Sequence, residues 1–306
     1  MIVTTFLSIL SYRIIAIISV LLGFPVVEIV QIGGNMLKSN RVVTKSEIDK
    51  LELSTRINLE AEITDARSTS IDFEAFKRIE TDIVKYAAGA AWRQYLFNFL
   101  GPVQGKTVLD IACGYSMTPV IFALAGATVY AVDVAPQTVA TVKKFADYKG
   151  VGDRVHVHVG PVESLPFEDE KFDLVFGGAA LHHFQLDVAA QEIRRVLKSG
   201  GRGGFQDPLG HNPFLEFARD YIPYKNKHPV KGTDRPMSLR DVHTFGRYFT
   251  KYQYRGFDLL TMAAKILRLN PQSRVRKMLY AVDSHMFDVA PYLQRYARFV
   301  VTCVTR

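Results

Sequence analysis

The sequence predicts an α/β protein with a doubly wound, mostly parallel sheet of seven strands, a helical N-terminal cap and a lid insertion. Between residues 106 and 208, short β-branched runs alternate with helical segments, a pattern typical of parallel sheets. Small-residue turns follow the strands, and an aspartate ends each of the first two. The 306 residues are 48% hydrophobic and 22% charged, which suits one large domain with insertions and argues against global disorder.

Residues 1–67 are predicted to form an apolar leader and a polar linker, with a short helix in the linker as one option. The apolar run Ile14–Val27 has 14 residues, fewer than the roughly 20 that a membrane-spanning helix needs. The segment Gly23–Glu28 is a poor signal-peptide cleavage site. Three interpretations of residues 1–30 stay open: a membrane anchor, a helix packed on the protein, or a poorly ordered leader.

Residues 68–306 are predicted to form the main domain, beginning with a helical cap over 68–105. Ser70 has the character of an N-cap, and apolar residues recur at helical spacing from Ile71 to Leu100. Tyr86 on this cap is a candidate ligand contact, although an amphipathic helix face explains it equally well.

The core over residues 106–208 opens with a strand–turn–helix–strand unit. Thr107–Ile111 is predicted as the first strand and residues 112–116 as a turn. Gly126 can end the helix that follows, and Asp133 lies at the tip of the second strand. Such a unit places backbone N–H groups and a helix N-terminus beside a carboxylate, an arrangement that suits a ligand with a polar tail and a ribose.

The rest of the core continues the alternation. It is predicted as a helix over 135–148, a strand over 153–159, a loop over 163–170, a strand over 172–176, a helix over 188–197, a turn over 199–202 and a strand over 203–206. His156 and His158 have the spacing of one strand face. A surface-facing pair is favoured over a metal site, and no metal is predicted.

Prolines and aromatic residues interrupt the pattern over 209–250, which is predicted to form a lid over a substrate. Residues 251–306 are predicted as C-terminal strands and helices: a strand over 251–259, a helical segment over 261–292 and a final strand over 297–304.

The turn after the first strand does not fit the Gly-x-Gly-x-x-Gly pattern of dinucleotide-binding proteins. The chain instead resembles the class I S-adenosylmethionine (SAM)-dependent methyltransferases, of the ubiquinone/menaquinone and methyltransferase type 11 kind. The resemblance covers about the middle third of the chain. It rests on VLDIACG at Val108–Gly114, VD at Val132-Asp133, ESLPF at Glu163–Phe167, FDLV at Phe172–Val175 and ALHHF at Ala180–Phe184.

The resemblance implies SAM as the cofactor and a set of residues that hold it. Asp110 would lie near the amino group, Asp133 would take the ribose hydroxyls, and Val134 would pack on the adenine. The other implied cofactor-binding residues are Ala112, Gly114, Ser116, Val162, Glu163 and Gly178.

The sequence departs from the family's usual Gly-x-Gly-x-Gly turn, because Ala112 and Ser116 replace the two outer glycines. We expect Ala112 to need only a negative φ, which would make it a mild change, and Ser116 to indicate a tighter site. Pro161 stands where the family often has an acid, so its side chain cannot accept a hydrogen bond from the adenine amine.

The acceptor side has fewer signals. His183 is a candidate general base for a hydroxyl acceptor, with a packing role as the alternative. His182, Asp207 and His211 are candidate substrate contacts in the crevice. Arg235, on the predicted lid with Tyr221 and Tyr224, could meet an anionic group of a substrate, and a surface role is the alternative.

These features predict a methyltransferase that acts on O or C of a small, mainly apolar molecule such as a lipid, quinone or polyketide-like compound. The net charge of +8 keeps a nucleic-acid methyltransferase as one alternative, yet GGAA at residues 177–180 lacks the Asn/Asp-Pro-Pro-Tyr/Phe motif of base-amine enzymes. A SAM- or NAD-binding protein without transfer activity is the other. Two cysteines predict no disulfide framework, and a cytoplasmic location follows unless residues 1–30 contact a membrane. The sequence makes no prediction of oligomeric state.

Overall fold

The computed structural model describes residues 53–68, 77, 79–221, 235–266, 269–270 and 273–306. All of them fall within one compact unit, Val43–Arg306. The predictions for the leader over residues 1–30, for a helix start at Ser70 and for Tyr224 lie outside the described residues.

A seven-stranded sheet forms the centre of the described chain, as predicted. Its strands are β1 (Thr107–Ile111), β2 (Thr128–Asp133), β3 (Val155–Val159), β4 (Phe172–Gly178), β5 (Leu197–Pro208), β6 (Lys251–Phe257) and β7 (Phe299–Thr305). They lie in the order β3-β2-β1-β4-β5-β7-β6. The first five strands pair in parallel, while β7 runs antiparallel between β5 and β6.

Helices cover both faces of this sheet. They are α1 (Leu53–Ser68), α2 (Ile83–Ala88), α3 (Ala91–Leu100), α4 (Thr118–Leu124), α5 (Pro136–Tyr148), α6 (Leu186–Val196), α7 (Pro213–Tyr221), α8 (Leu239–Gly246), α9 (Thr261–Ile266) and α10 (Arg274–Val289). Leu109 and Phe205 pack on one face of the sheet, and Val108 and Phe122 on the other, all fully buried. Because both faces of a parallel sheet are covered, its central strands are almost wholly apolar.

Helix α1 lies in the range that the sequence analysis assigned to a linker. Its Asp65 carboxylate accepts a hydrogen bond from the Gln137 N–H at the start of α5 (3.0 Å). Its Glu60 carboxylate lies 3.5 Å from the ring of His183. Both partners are distant in sequence, which explains why the weakly periodic sequence of α1 did not indicate a docked helix.

Two predicted elements differ in the structure. Residues 199–202 belong to β5, which begins at Leu197, and the pairing of β5 with β4 shifts register between Phe172 and Leu174. Gly200, with φ 71°, lies in this irregular segment. The predicted helix over 261–292 is instead α9, α10 and a 3-10 turn over Pro291–Tyr296.

Chain direction puts two insertions at one edge of the sheet. β5 ends at Pro208, which pairs with Phe299 at the start of β7, and β6 ends at Phe257 opposite the same residue. The segments over 209–250 and 258–298 therefore both leave the edge where the parallel strands have their carboxyl ends. Within the described ranges, no helix has the length and apolar character needed to cross a bilayer.

Candidate active site

The turn after β1 lies where the strand order reverses between β1 and β4, the position at which open α/β sheets bind ligands. Ala112 (φ 44°) and Gly114 (φ 52°) both adopt the left-handed conformation there. The expectation of a negative φ at Ala112 is therefore wrong, because the chain must reverse sharply as it leaves the buried strand. Ser116 does not adopt a positive φ, and its Oγ accepts a hydrogen bond from the Thr118 N–H at the start of α4 (3.1 Å).

Asp133 ties the end of β2 to this turn. Its Oδ2 accepts a hydrogen bond from the Gly114 N–H (2.8 Å), and its Oδ1 accepts one from the Ala135 N–H (3.0 Å). Burial raises the pKa of Asp133, and these two backbone N–H groups oppose the shift. Since each carboxylate oxygen has two lone pairs, both oxygens keep capacity for further donors such as hydroxyl groups.

Asp110, at the end of β1, is buried in the same place. Burial raises the pKa of Asp110 well above its ordinary value, a hydrogen bond from Thr118 opposes the shift, and the charge of Asp133 adds to it. Its Oδ2 has no hydrogen-bond partner among the described residues. An orphaned buried carboxylate oxygen beside a second carboxylate fits a cationic donor, and the ammonium group of SAM is one.

Tyr86, on α2, lies on the cap side of these carboxylates. Burial raises the pKa of Tyr86, Arg93 opposes the shift, and the charge of Asp110 adds to it. The guanidinium of Arg93 lies 4.3 Å from the centre of the Tyr86 ring. The structure therefore places Tyr86 within electrostatic reach of Asp110, and it also gives Tyr86 a packing role on the cap.

The loop after β3 carries two of the predicted adenine-side residues. Val162 is buried in the core, and the Glu163 carboxylate accepts a hydrogen bond from the Gln185 N–H at the start of α6 (3.0 Å). Val134, after β2, is half-buried. The side chain of Glu163 thus holds α6, which leaves its backbone as the part available to a ligand.

Arg195 stabilises the shape of this loop, a role that is not predicted from the sequence. Its guanidinium donates to the carbonyl oxygens of Leu165 (3.1 Å) and Phe167 (2.7 Å) and to the carboxylates of Glu192 and Asp169. These partners lie 3 to 30 residues away in sequence. An arginine on an amphipathic helix gives no local signal of such long-range contacts.

After β4, Gly178 is exposed and Ala179 is held in the left-handed region (φ 55°). The Ala179 N–H donates to the carbonyl oxygen of Gln206 on β5 (2.6 Å). The bend turns the following residues, His182 and His183, over the carboxyl ends of β4 and β5.

His182 and Asp207 form a buried pair at this point. Nδ1 of His182 lies 2.8 Å from Oδ1 of Asp207, and the two side chains are 3% and 1% exposed. The second carboxylate oxygen of Asp207, Oδ2, has no hydrogen-bond partner among the described residues. A carboxylate at Nδ1 fixes the Nδ1–H tautomer, so the lone pair of the neutral imidazole lies on Nε2.

His183 has a different environment. The centre of its ring lies 4.0 Å from that of His182, with the two rings tilted by 39°, and its Nδ1 lies 3.5 Å from Glu60 Oε1 on α1. Its positive form also favours the ionised state of Asp133, which lowers the pKa of that carboxyl. His183 therefore lies toward the cofactor-side carboxylates, whereas His182 is held by β5.

The two remaining substrate candidates make local contacts. His211 Nε2 accepts a hydrogen bond from the Leu239 N–H at the start of α8 (3.4 Å). Arg235 is exposed and lies 3.7 Å from Asp241 on the same helix. The structure thus gives both residues a part in fastening α8 and does not bring Arg235 against the His182–Asp207 pair through any described contact.

Other chemistries find little support among the described residues. Burial raises the pKa of Cys113 well above its ordinary value and that of Cys303 to about 12, so neither thiol is an activated nucleophile. No group of three His, Cys, Asp or Glu side chains with metal-binding geometry occurs in the described part of the chain. His156 is exposed, and its ring packs at a tilt against Tyr130 (4.8 Å between ring centres).

Comparison with known proteins gives the same picture for the core. Residues 109–204 match the family described as "Methyltransferase domain". Uncharacterized methyltransferase YcgJ of Bacillus subtilis (strain 168) is 40% identical over 96 residues, which cover 31% of this chain and 38% of that protein. Its crystal structure aligns with 70% of this chain and 97% of that chain at 22% identity, with a TM-score of 0.47.

Two further relatives have named activities. Sterol 24-C-methyltransferase ERG6B of Gibberella zeae is 32% identical over 122 residues, covering 39% of this chain and 32% of that protein. Ubiquinone/menaquinone biosynthesis C-methyltransferase UbiE of Rubrivivax gelatinosus is 30% identical over 127 residues, covering 40% and 47%. The chain spans less than half the length of the three curated relatives described here.

The matched segment contains the strands and turns that carry Asp110, Gly114, Asp133 and His182. The strand order, the two acidic strand ends and the family match agree with one another, and the cofactor of this family is SAM. Residues 109–204 of the chain therefore form a methyltransferase domain of the class I SAM-dependent kind.

Proposed function

We propose that this protein transfers a methyl group from SAM to O or C of a small, mainly apolar molecule. One observation carries the proposal: two buried carboxylates, Asp110 and Asp133, meet a left-handed turn at the reversal point of the sheet. The carboxylates suit an ammonium group and vicinal hydroxyls, and the turn lets a ligand approach the backbone closely.

The chain's own residues position the reactants and exclude water from them. Bound SAM supplies a methyl group that its positive sulfur already activates. Asp110 would hold the amino end of SAM and Asp133 its ribose. Catalysis then depends on holding the acceptor in line and on excluding water.

His182 and Asp207 are the pair we propose for a proton from a hydroxyl acceptor. Asp207 would orient the His182 ring through Nδ1 and stabilise the imidazolium that forms when Nε2 takes the proton. His183, beside Glu60, was the candidate base from sequence and is kept as the competing assignment.

An apolar acceptor is supported by the relatives named for sterol and ubiquinone/menaquinone methylation. A cytosine-carbon acceptor, whose methylation needs a nucleophilic cysteine, lacks comparable support, because burial raises the pKa of both thiols.

The cofactor assignment is tested by calorimetry with the full chain. Asp133→Ala should weaken SAM binding by about 1.5–3 kcal/mol, because charged hydrogen bonds to the ribose are lost. Asp187→Ala is the matched control, since it removes an exposed carboxylate that pairs with Arg247 (3.0 Å), and it should change the affinity for SAM little. Unchanged affinity in Asp133→Ala, or binding of NAD and not SAM by the wild type, would sink the proposal.

The proton-accepting pair is tested by turnover with tritiated SAM and a panel of sterols and reduced prenylated quinones. His182→Asn should lower kcat for a hydroxyl acceptor by on the order of 100-fold while SAM affinity stays within about twofold. His183→Asn is the neighbouring control and should have a much smaller effect. The reverse ranking would assign the base to His183.

A further inference from the structure

Helix α10 leaves a row of apolar side chains in solvent. Val275, Met278, Val282 and Val289 recur at spacings of three, four and seven residues, which places them on one side of the helix. They are 51%, 58%, 38% and 71% exposed. The opposite side carries the buried Phe287, so this row is an outward face and does not belong to the core.

The same edge of the molecule carries further exposed apolar groups on α7 and after α10. Phe214 and Phe217 on α7 are 79% and 50% exposed, and Tyr292 is 69% exposed. Asn212, just before α7, donates its side-chain N–H to the carbonyl oxygen of Tyr296 (2.8 Å), which ties the two insertions together. We call Phe214, Phe217, Val275, Met278, Val289 and Tyr292 the α7–α10 face.

The two acids of α10 are both engaged by other residues. Asp283 is buried and accepts hydrogen bonds from the N–H groups of Leu259, Leu260 and Thr261, whereas Asp288 is exposed and pairs with Arg255 (3.1 Å). Arg274 and Lys277 are exposed. An apolar row bordered by cations is the pattern of helices that lie in the surface of an anionic bilayer.

We propose that the α7–α10 face docks on the surface of an anionic phospholipid bilayer, with the mouth of the crevice toward the lipid. Both insertions leave the sheet edge that carries Asp110, Asp133 and Asp207, which is the reason for placing the crevice toward the lipid. An apolar acceptor dissolved in the bilayer could then enter without crossing water. That benefit rests on the proposed function, while docking itself depends only on the surface.

A second copy of the chain fits this surface less well. A second copy of the chain would carry the same net charge of +8, and like charges oppose one another at such a contact. An anionic headgroup layer attracts Arg274 and Lys277, each by about 1 kcal/mol at the membrane surface. The whole chain, with a net charge of +8, is attracted as well.

The test is co-sedimentation of the full chain with vesicles of phosphatidylcholine alone and of phosphatidylcholine with roughly one third phosphatidylglycerol. The wild type should bind the anionic vesicles preferentially, and added salt should weaken binding. Met278→Glu and Val289→Glu, each at an exposed position, should lower the partition coefficient about tenfold. Arg274→Gln with Lys277→Gln should weaken binding to the anionic vesicles and leave binding to neutral ones unchanged.

Leu124→Glu is the matched control, because Leu124 is 40% exposed at the far end of α4, at the opposite edge of the sheet. It should bind vesicles as the wild type does, and circular dichroism should show all variants folded. Wild-type-like binding by both glutamate variants, or equal binding to both vesicle types, would overturn the proposal. So would a dimer that Met278→Glu dissociates in sedimentation velocity, since the face would then join two copies.

Binding of SAM by calorimetry is scored separately on the same samples. A chain that binds anionic vesicles but not SAM would remove the proposed function and keep the docking surface. A chain that binds SAM but not vesicles would remove the docking surface and keep the proposed function.

Discussion

Ala112 lies in a conformation that disfavours every residue with a Cβ. Its φ of 44° is close to the 52° of Gly114 two residues later, and both angles belong to the turn that Asp133 holds. The left-handed region costs an L-residue about 1–2 kcal/mol, whereas glycine adopts it freely. The family usually has glycine at this position because the backbone there is left-handed. Ala112 adopts the same turn at a cost in stability.

Ala112→Gly should raise the free energy of unfolding by about 0.5–1 kcal/mol, because relief of the left-handed strain exceeds the extra entropy of glycine in the unfolded chain. Urea unfolding followed by circular dichroism measures it. The paired variant Gly114→Ala should lose about 1–2 kcal/mol, although its new Cβ would approach no atom closer than 4.0 Å. A destabilised Ala112→Gly would show that the turn is not strained.

The paired carboxylates illustrate a limit of sequence reasoning at single positions. That Asp110 and Asp133 end neighbouring strands follows from local patterns, and β1 and β2 end as predicted. The hydrogen bond from Gly114 to Asp133 and the partnership of His182 with Asp207 join residues 19 and 25 positions apart. Such pairings depend on how strands and turns meet, which no local pattern encodes.

Asp283 explains how the helical segment after β6 divides into two helices. Its carboxylate accepts three backbone N–H bonds at the start of α9 and a hydroxyl bond from Thr261 (2.7 Å). A residue of α10 thus caps α9 across 22 to 24 positions. The sequence predicted one helical segment here because apolar periodicity is similar on both sides, and the cap that orients the second helix is a tertiary contact.

Asp283→Ala should lower the free energy of unfolding by about 2–4 kcal/mol, because it leaves buried N–H groups at the start of α9 without an acceptor. Thermal and urea unfolding measure it. Asp288→Ala, on the same helix, is the control: its carboxylate is 60% exposed and pairs with Arg255, so the loss should stay below about 1 kcal/mol. Equal losses in the two variants would contradict a capping role for Asp283.

The irregular start of β5 has a similar origin. Ser199-Gly200-Gly201-Arg202 has the composition of a turn, and the sequence analysis assigned one there. In the structure the Arg306 N–H donates to the Gly201 carbonyl oxygen (3.0 Å) and the Gly200 N–H donates to that of Arg306 (3.0 Å). Pairing with the end of β7 keeps these residues in the sheet, and that partner lies about a hundred positions along the chain.

The arrangement of insertions gives the molecule one functional edge. Antiparallel β7 returns the chain so that residues 209–250 and 258–298 both emerge beside the ends of the parallel strands. From the sequence, only the first insertion, over residues 209–250, was predicted to lie on the substrate side. The second carries α10, with its exposed cations and exposed apolar row, to the same edge. Part of the positive charge of the chain therefore lies at this edge.

Local patterns determined the alternation of strands and helices, the seven-stranded sheet, and the family to which the core belongs, because each depends on periodicity and on motifs a few residues long. The tertiary structure decided which backbone positions of the β1 turn are left-handed, that His182 and not His183 pairs with Asp207, and that α1 reaches across to α5 and His183. These features depend on distant segments being brought together by packing. Those contacts can stabilise the protein only once the sheet has formed.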